Sequence, residues 1–209
     1  MSVIGLTGGI ASGKSLVSAV LRQLGAQIVD ADEVARLVVE PGTAGLAEIR
    51  QVFGDKILNP DGSLNRKTLG NMVFADPDKL KRLNEITHPQ IYKYFKNEID
   101  NFHQHKDYPA LILDVPLLIE AGFYRLVDEV WLVVVSKDVQ VSRVMDRDGA
   151  SREQALQRIN SQMSVEEKQK YADVIIDNSG STESTRQKVI ELWKQRFGSG
   201  VATIDIERT

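Results

Sequence analysis

The chain has 209 residues, 42% of them hydrophobic and 26% charged, with a net charge of −3 and no cysteine. That length and apolar content suit one α/β domain with insertions. The missing cysteine excludes disulfides, thiolate catalysis and cysteine-bound zinc, and the slight acidity gives no global field favouring nucleic acid or an anionic membrane. No secretory signal pattern opens the chain. The longest apolar stretch, Ala110 to Ala121, holds Asp114, Pro116 and Glu120 and is too short to span a bilayer, so a cytoplasmic location is expected.

The first predicted element is a buried strand, Val3-Ile4-Gly5-Leu6-Thr7. Gly8-Gly9-Ile10-Ala11-Ser12-Gly13-Lys14-Ser15 follows it and reads G-x-x-x-x-G-K-[ST], the phosphate-binding P-loop pattern. Glycines let backbone N–H groups curl around a di- or triphosphate, Lys14 reaches the terminal phosphates, and the Ser15 hydroxyl can hold Mg²⁺. Leu16, Val17, Val20, Leu21 and Leu24 then form one face of a helix, whose N-terminus adds partial positive charge under the phosphates. A glycine-rich turn that binds nothing would explain neither the lysine nor the serine.

Gln27 to Asp30 reads as a second strand, closing on Asp30-Ala31-Asp32. Asp32 is a candidate to accept the proton of an attacking hydroxyl or to bind Mg²⁺ through water; alternatively it caps a helix beginning at Glu33. Residues from about 32 to 109 then read as helices. Asp76-Pro77 is a helix start, and Pro89 is expected to interrupt or restart a helix near His88. This insertion is too large for a simple crossover and is expected to grip a second substrate.

Ala110 to Asp114, Val130 to Val135 and Val174 to Asp177 are three further strands. Their nearly continuous aliphatic runs suit a parallel sheet covered on both faces. Asp114 resembles the acidic residue paired with a P-loop. Leu117 and Leu118 read as core, and Glu120 reads either as a helix-start charge or as a ligand contact. Residues 138–147 form a helix with Arg143 and Arg147 on one face, either neutralising phosphoryl charge or paired with Asp146 and Asp148. Ser151 to Gln154 is a capping box opening a helix with Arg158 and Gln162 on one face. This short basic hairpin is expected to be a lid. His88, His103 and His105 form no convincing metal cluster, and the tail from Gly198 to Thr209 reads as a loosely attached end.

A GTPase switch would need a guanine-reading N-K-x-D, which is absent; D-x-x-G at Asp146 follows a helix, and at Asp177 it comes too late. An ATP-driven motor would not fit easily in this length. A small-molecule kinase needs a P-loop, an acceptor-binding insertion and a lid, and all three are legible. Spacing alone leaves open a nucleoside or nucleotide monophosphate kinase.

Nearly the whole chain, from Val3 to Phe197, resembles the dephospho-coenzyme A kinase family. The resemblance is carried by Leu6 to Ser15, Val29-Asp30-Ala31-Asp32 with Ala35 and Arg36, and Val39 to Gly42. It continues through His88-Pro89, Val115 to Glu120, Arg143 with Arg147-Asp148, Arg158 with Gln162, and Ala172-Asp173 leading to Ile176-Asp177-Asn178. It implies a P-loop kinase fold: a five-stranded parallel sheet flanked by helices, with a helical acceptor-binding insertion and a helical lid. The nucleotide-binding core would cover about 1–40 and 110–197, the insertion about 41–109 and the lid about 138–170. It implies ATP-dependent phosphorylation of the ribose 3′-hydroxyl of dephospho-CoA, with Mg²⁺ and without nucleic acid or membrane.

By position, Lys14, Asp32 and Arg143 would be catalytic. Gly9, Ile10, Ala11, Ser12, Gly13, Lys14, Ser15, Leu16 and Arg147 would bind ATP, with Ser15 the metal ligand. Asp32, His88, Pro116 and Leu117 would bind the acceptor. Leu16 departs from the threonine common in the family, so a hydrogen bond to the α-phosphate is expected to be missing.

Overall fold

A computed structural model describes residues 1–105 and 107–198. All of the tail expected to be loosely attached, apart from Gly198, lies outside those residues. The described chain runs β1 (Ser2–Gly8), α1 (Lys14–Gln23), β2 (Gln27–Asp30), α2 (Ala31–Leu37), α3 (Ala44–Phe53), α4 (Arg66–Phe74), α5 (Pro77–His105), β3 (Ala110–Asp114) and β4 (Glu129–Val134). It continues through α6 (Lys137–Asp148), α7 (Arg152–Asn160), α8 (Val165–Gln169), β5 (Val174–Asp177) and α9 (Thr182–Phe197).

The strands form one parallel sheet in the order β2-β3-β1-β4-β5. β1 lies at its centre, with Leu6 opposite Asp114 of β3 and Gly8 opposite Val133 of β4. The central strands are apolar on both faces because helices cover both. Ile4, Leu6, Ile112, Trp131 and Ile176 are fully buried with Val17 and Leu21 of α1 and Val189 and Trp193 of α9. No helix among the described residues is long and apolar enough to cross a membrane.

The chain divides into two compact units, one made of Met1–Val29 with the residues from Ile99 onward, the other of Asp30–Glu98. The second has its own core of Val39, Leu46, Ile49, Phe53, Ile57, Leu69, Val73 and Ile86.

Three helix expectations need correction. Pro89 neither stops nor restarts a helix: α5 runs through it from Pro77 to His105. An interior proline removes one backbone bond and crowds the preceding turn, at about 3 kcal/mol. Ile86, Ile91 and Phe95, buried on both sides of it, hold the helix through. The cap of α2 is Asp30 rather than Asp32: its carboxylate accepts from the N–H groups of Asp32 and Glu33 at 2.7 and 3.4 Å. Asp30→Ala is expected to cost about 1 kcal/mol of stability, read from urea unfolding, whereas Asp30→Asn keeps the cap. Finally, α7 ends at Asn160, so Gln162 lies beyond it and does not share a helix face with Arg158. The capping box itself forms, with Ser151 and Gln154 each bonding the other's backbone N–H.

Candidate active site

The loop between β1 and α1 is shaped by close approaches. A Cβ on Gly8 would lie 2.5 Å from Ser12 Oγ and 2.8 Å from the Val133 carbonyl, so only glycine fits. Gly13 has φ +84° and caps α1, and a Cβ there would sit 2.0 Å from Asn178 Nδ2. Gly13→Ala is expected to destabilise the protein by on the order of 2 kcal/mol, from the left-handed backbone and this clash together, seen as a lowered thermal midpoint. Ala11 is left-handed too, at φ +56°, and is the only such non-glycine among the described residues.

The carbonyls of Gly9, Ile10, Ser12 and Gly13 are committed to the protein. Gly9 O accepts from Ser12 N at 3.0 Å and Gly13 O from Leu16 N at 3.0 Å. Ser12 O accepts from Asn178 Nδ2 at 2.8 Å and, more weakly, from Arg143 Nη1 at 3.5 Å. Asn178 is oriented for this by Thr185, whose hydroxyl donates to Asn178 Oδ1 at 2.8 Å. The N–H groups of Ala11, Gly13, Lys14 and Ser15 find no acceptor among the described residues. The first turn of α1 holds no acidic residue and no side-chain cap. Such a ring of free N–H groups at a helix N-terminus is an anion cradle.

Lys14 rises from this cradle and forms an ion pair with Asp114 at the end of β3. Asp114 is buried, and the lysine side chain is 18% exposed. Ser15 is exposed on the first turn of α1, and Leu16 packs toward the core around Val17 and Leu21. The residue at the position of the family threonine therefore serves packing.

Arg143 and Arg147 diverge. Arg143 is partly buried and donates to the carbonyls of Ser12 and Asn178. Arg147 is exposed and pairs with Asp148, which also takes Arg158. The guanidinium of Arg147, with Arg158 behind it, holds the Asp148 carboxyl below the usual carboxylate range. Among the described residues, Asp146 accepts only from Ser142, at 3.4 Å.

After β3, Thr7 Oγ1 donates to the Pro116 carbonyl at 3.0 Å, tying that turn to β1. Leu118 is buried as core, but Leu117 is not: it is 44% exposed. Glu120 starts no helix, because the chain turns there into a short 3₁₀ segment at Phe123–Leu126. Its carboxylate instead lies 2.7 Å from the ammonium of Lys168, a buried residue of α8, off hydrogen-bond alignment.

In the second unit, Asp32 is exposed in the first turn of α2, and its carboxylate makes no hydrogen bond or ion pair among the described residues. His88 is partly buried on α5, and desolvation holds its imidazole below the ordinary value, favouring the neutral form. His103 and His105 lie exposed at the end of α5, and the described residues hold no group of three His, Asp or Glu suited to a metal ion.

Sequence reasoning had no signal for the pairings of Asn178 with Thr185 or Glu120 with Lys168, whose partners lie far apart in the chain or serve only tertiary contact.

A parallel sheet with this loop at the end of its central strand, a lysine in the cradle and an arginine against it define a P-loop kinase. The family model described as Dephospho-CoA kinase matches residues 2–184. The chain is 47% identical over 197 residues to the Dephospho-CoA kinase of Carboxydothermus hydrogenoformans, covering 93% of this chain and 95% of that one. It is 47% identical over 197 residues to that of Geobacter sulfurreducens, covering 94% and 100%. Among solved structures, Dephospho-CoA kinase from Campylobacter jejuni matches with a TM-score of 0.74 at 29% identity over 93% of this chain and 96% of that one. TT1252 from Thermus thermophilus matches with 0.75 at 34% identity over 92% and 96%. The chain belongs to the dephospho-CoA kinase family.

Proposed function

We propose that this protein transfers the γ-phosphoryl group of ATP to the ribose 3′-hydroxyl of dephospho-CoA, giving CoA and ADP, the last step of CoA biosynthesis. The observation that carries the reading is the cradle of free N–H groups with Lys14 at its mouth, in a chain of this family. The 3′-oxygen bonds to the γ-phosphorus, the bond from that phosphorus to the β,γ-bridging oxygen breaks, and the hydroxyl proton passes to Asp32. The exposed carboxylate of Asp32, unpaired among the described residues, supports that role. Lys14 exchanges Asp114 for phosphate oxygens, and Arg143 neutralises charge that develops during transfer.

Gly9 to Leu16 line the phosphates, with Arg147 released from Asp148 to join them. His88, Pro116 and Leu117 are assigned to acceptor binding, and the exposure of Leu117 supports an apolar contact by that residue. The proposed domains are a nucleotide core of about 1–40 and 110–197, an acceptor-binding insertion of about 41–109 and a lid of about 138–170. The chemistry of the donor set fits Mg²⁺: the Ser15 hydroxyl is a hard oxygen ligand, and such an ion takes its other ligands from phosphates and water rather than from a protein cage. When bound it would neutralise phosphate charge. The proposed setting is the cytoplasm.

The test is ADP release by purified protein with dephospho-CoA against a panel of nucleoside monophosphates. Dephospho-CoA is expected to be strongly preferred; preference for a monophosphate would overturn the reading.

A further inference from the structure

Both backbone polar groups of Ile10, one on each of its flanking peptides, are held by side chains. Its N–H donates to Gln162 Oε1 at 2.8 Å, and its carbonyl accepts from Gln140 Nε2 at 2.8 Å. Gln140 belongs to α6 and is buried, while Gln162 lies in the turn after α7. The side chains of Ile10 and Ala11 also pack against Val141, Val144 and Ala155, the small core that joins α6 to α7. We propose that Gln140 and Gln162 are positioning residues that fix the phosphate loop through the two peptide groups flanking Ile10 and couple it to the α6–α7 hairpin.

The geometry explains why a clamp is needed. In a trans peptide the N–H points opposite the carbonyl. Holding Ile10 C=O on Gln140 therefore aims Ala11 N–H to the other side, and this is one of the free N–H groups of the cradle. Ala11 adopts a backbone conformation that L-residues disfavour. A loop left to itself would relax that residue and turn the Ile10–Ala11 peptide; the Gln140 bond holds that peptide directly, while the Gln162 bond on the preceding peptide and the packing of Ile10 hold its neighbour in place. Both bonds have a fixed sense. Gln162 must accept, because its partner is an N–H, and Gln140 must donate, because its partner is a carbonyl.

That sense gives the test, which rests on the ATP-binding reading of the loop. At position 162, Gln162→Glu keeps an acceptor and Gln162→Met removes it. At position 140, Gln140→Met removes the donor, and Gln140→Glu sets a second acceptor against the carbonyl. KM for ATP, KM for dephospho-CoA, kcat and the affinity for a non-hydrolysable ATP analogue are measured for all four variants that remain folded at the assay temperature. Both methionine variants are expected to weaken ATP by about tenfold, the effect of one lost hydrogen bond. Glutamate is expected to bind ATP better than methionine at 162 and worse than methionine at 140, with KM for dephospho-CoA unchanged. Each glutamate adds the same charge, so a bare charge or packing effect moves both sites the same way. Glutamate and methionine ranking in the same order at both positions would overturn the clamp. Wild-type protein that fails to bind the analogue would overturn the ATP reading itself.

Discussion

Lys14→Ala is expected to lower turnover with ATP and dephospho-CoA by about 10²–10³-fold or more, the usual cost of removing a charge aimed at a transferring phosphoryl group. It is also expected to cost stability. Asp114 is only 4% exposed and has Lys14 as its ion-pair partner. Removing the lysine strands a buried carboxylate, at on the order of 2–4 kcal/mol, since one side of the pair still reaches water. The double variant Lys14→Ala/Asp114→Asn separates the two effects: the neutral amide needs no counter-charge, so unfolding by urea returns toward wild type while turnover does not. Near-normal turnover in folded Lys14→Ala would remove Lys14 from the mechanism.

Asp32→Asn is expected to lower kcat by about 10²–10⁴-fold, with little change in the urea midpoint. The separation is clean because the cap of α2 is Asp30, whose bonds to the Asp32 and Glu33 N–H groups involve the Asp32 backbone and not its side chain. An amide in place of the carboxylate keeps the size and removes the proton acceptor. Unchanged kcat would exclude Asp32 as the base.

Much of the scaffold was legible. Gln27–Asp30, Ala110–Asp114 and Val174–Asp177 occupy the expected residues because each is a short aliphatic run bounded by polar residues, and β4 is displaced by one residue. The Asp76-Pro77 start and the Ser151 capping box are local patterns, complete within four residues, and both are present. The loop from Gly8 to Ser15 was legible as a glycine-shaped connection from strand to helix, because its spacing carries its own backbone requirements.

What escaped depends on distant partners. Gln140 carries no signal in the sequence, and Gln162 reads beside Arg158 on a helix face and in the family pattern, with nothing to say that the fold brings Ile10 between the two glutamines. The exposure of Leu117 beside buried Leu118 follows from a turn that apolar composition does not encode. Pro89 misled for the opposite reason: a strong local rule yielded to the burial of Ile86, Ile91 and Phe95.

The position of β1 has a consequence for the order in which the molecule assembles. Val3 pairs with Leu111, and Ile4 with Glu129 as well as Ile112, so the central strand has no sheet partner until the chain reaches β3 and β4. The unit from Asp30 to Glu98 is continuous and packs from local helices. Non-local pairings form slowly, and chains fold unit by unit as they are made. The phosphate loop precedes its braces in the chain, so its final shape waits until Gln140, Gln162 and Asn178 have been synthesised.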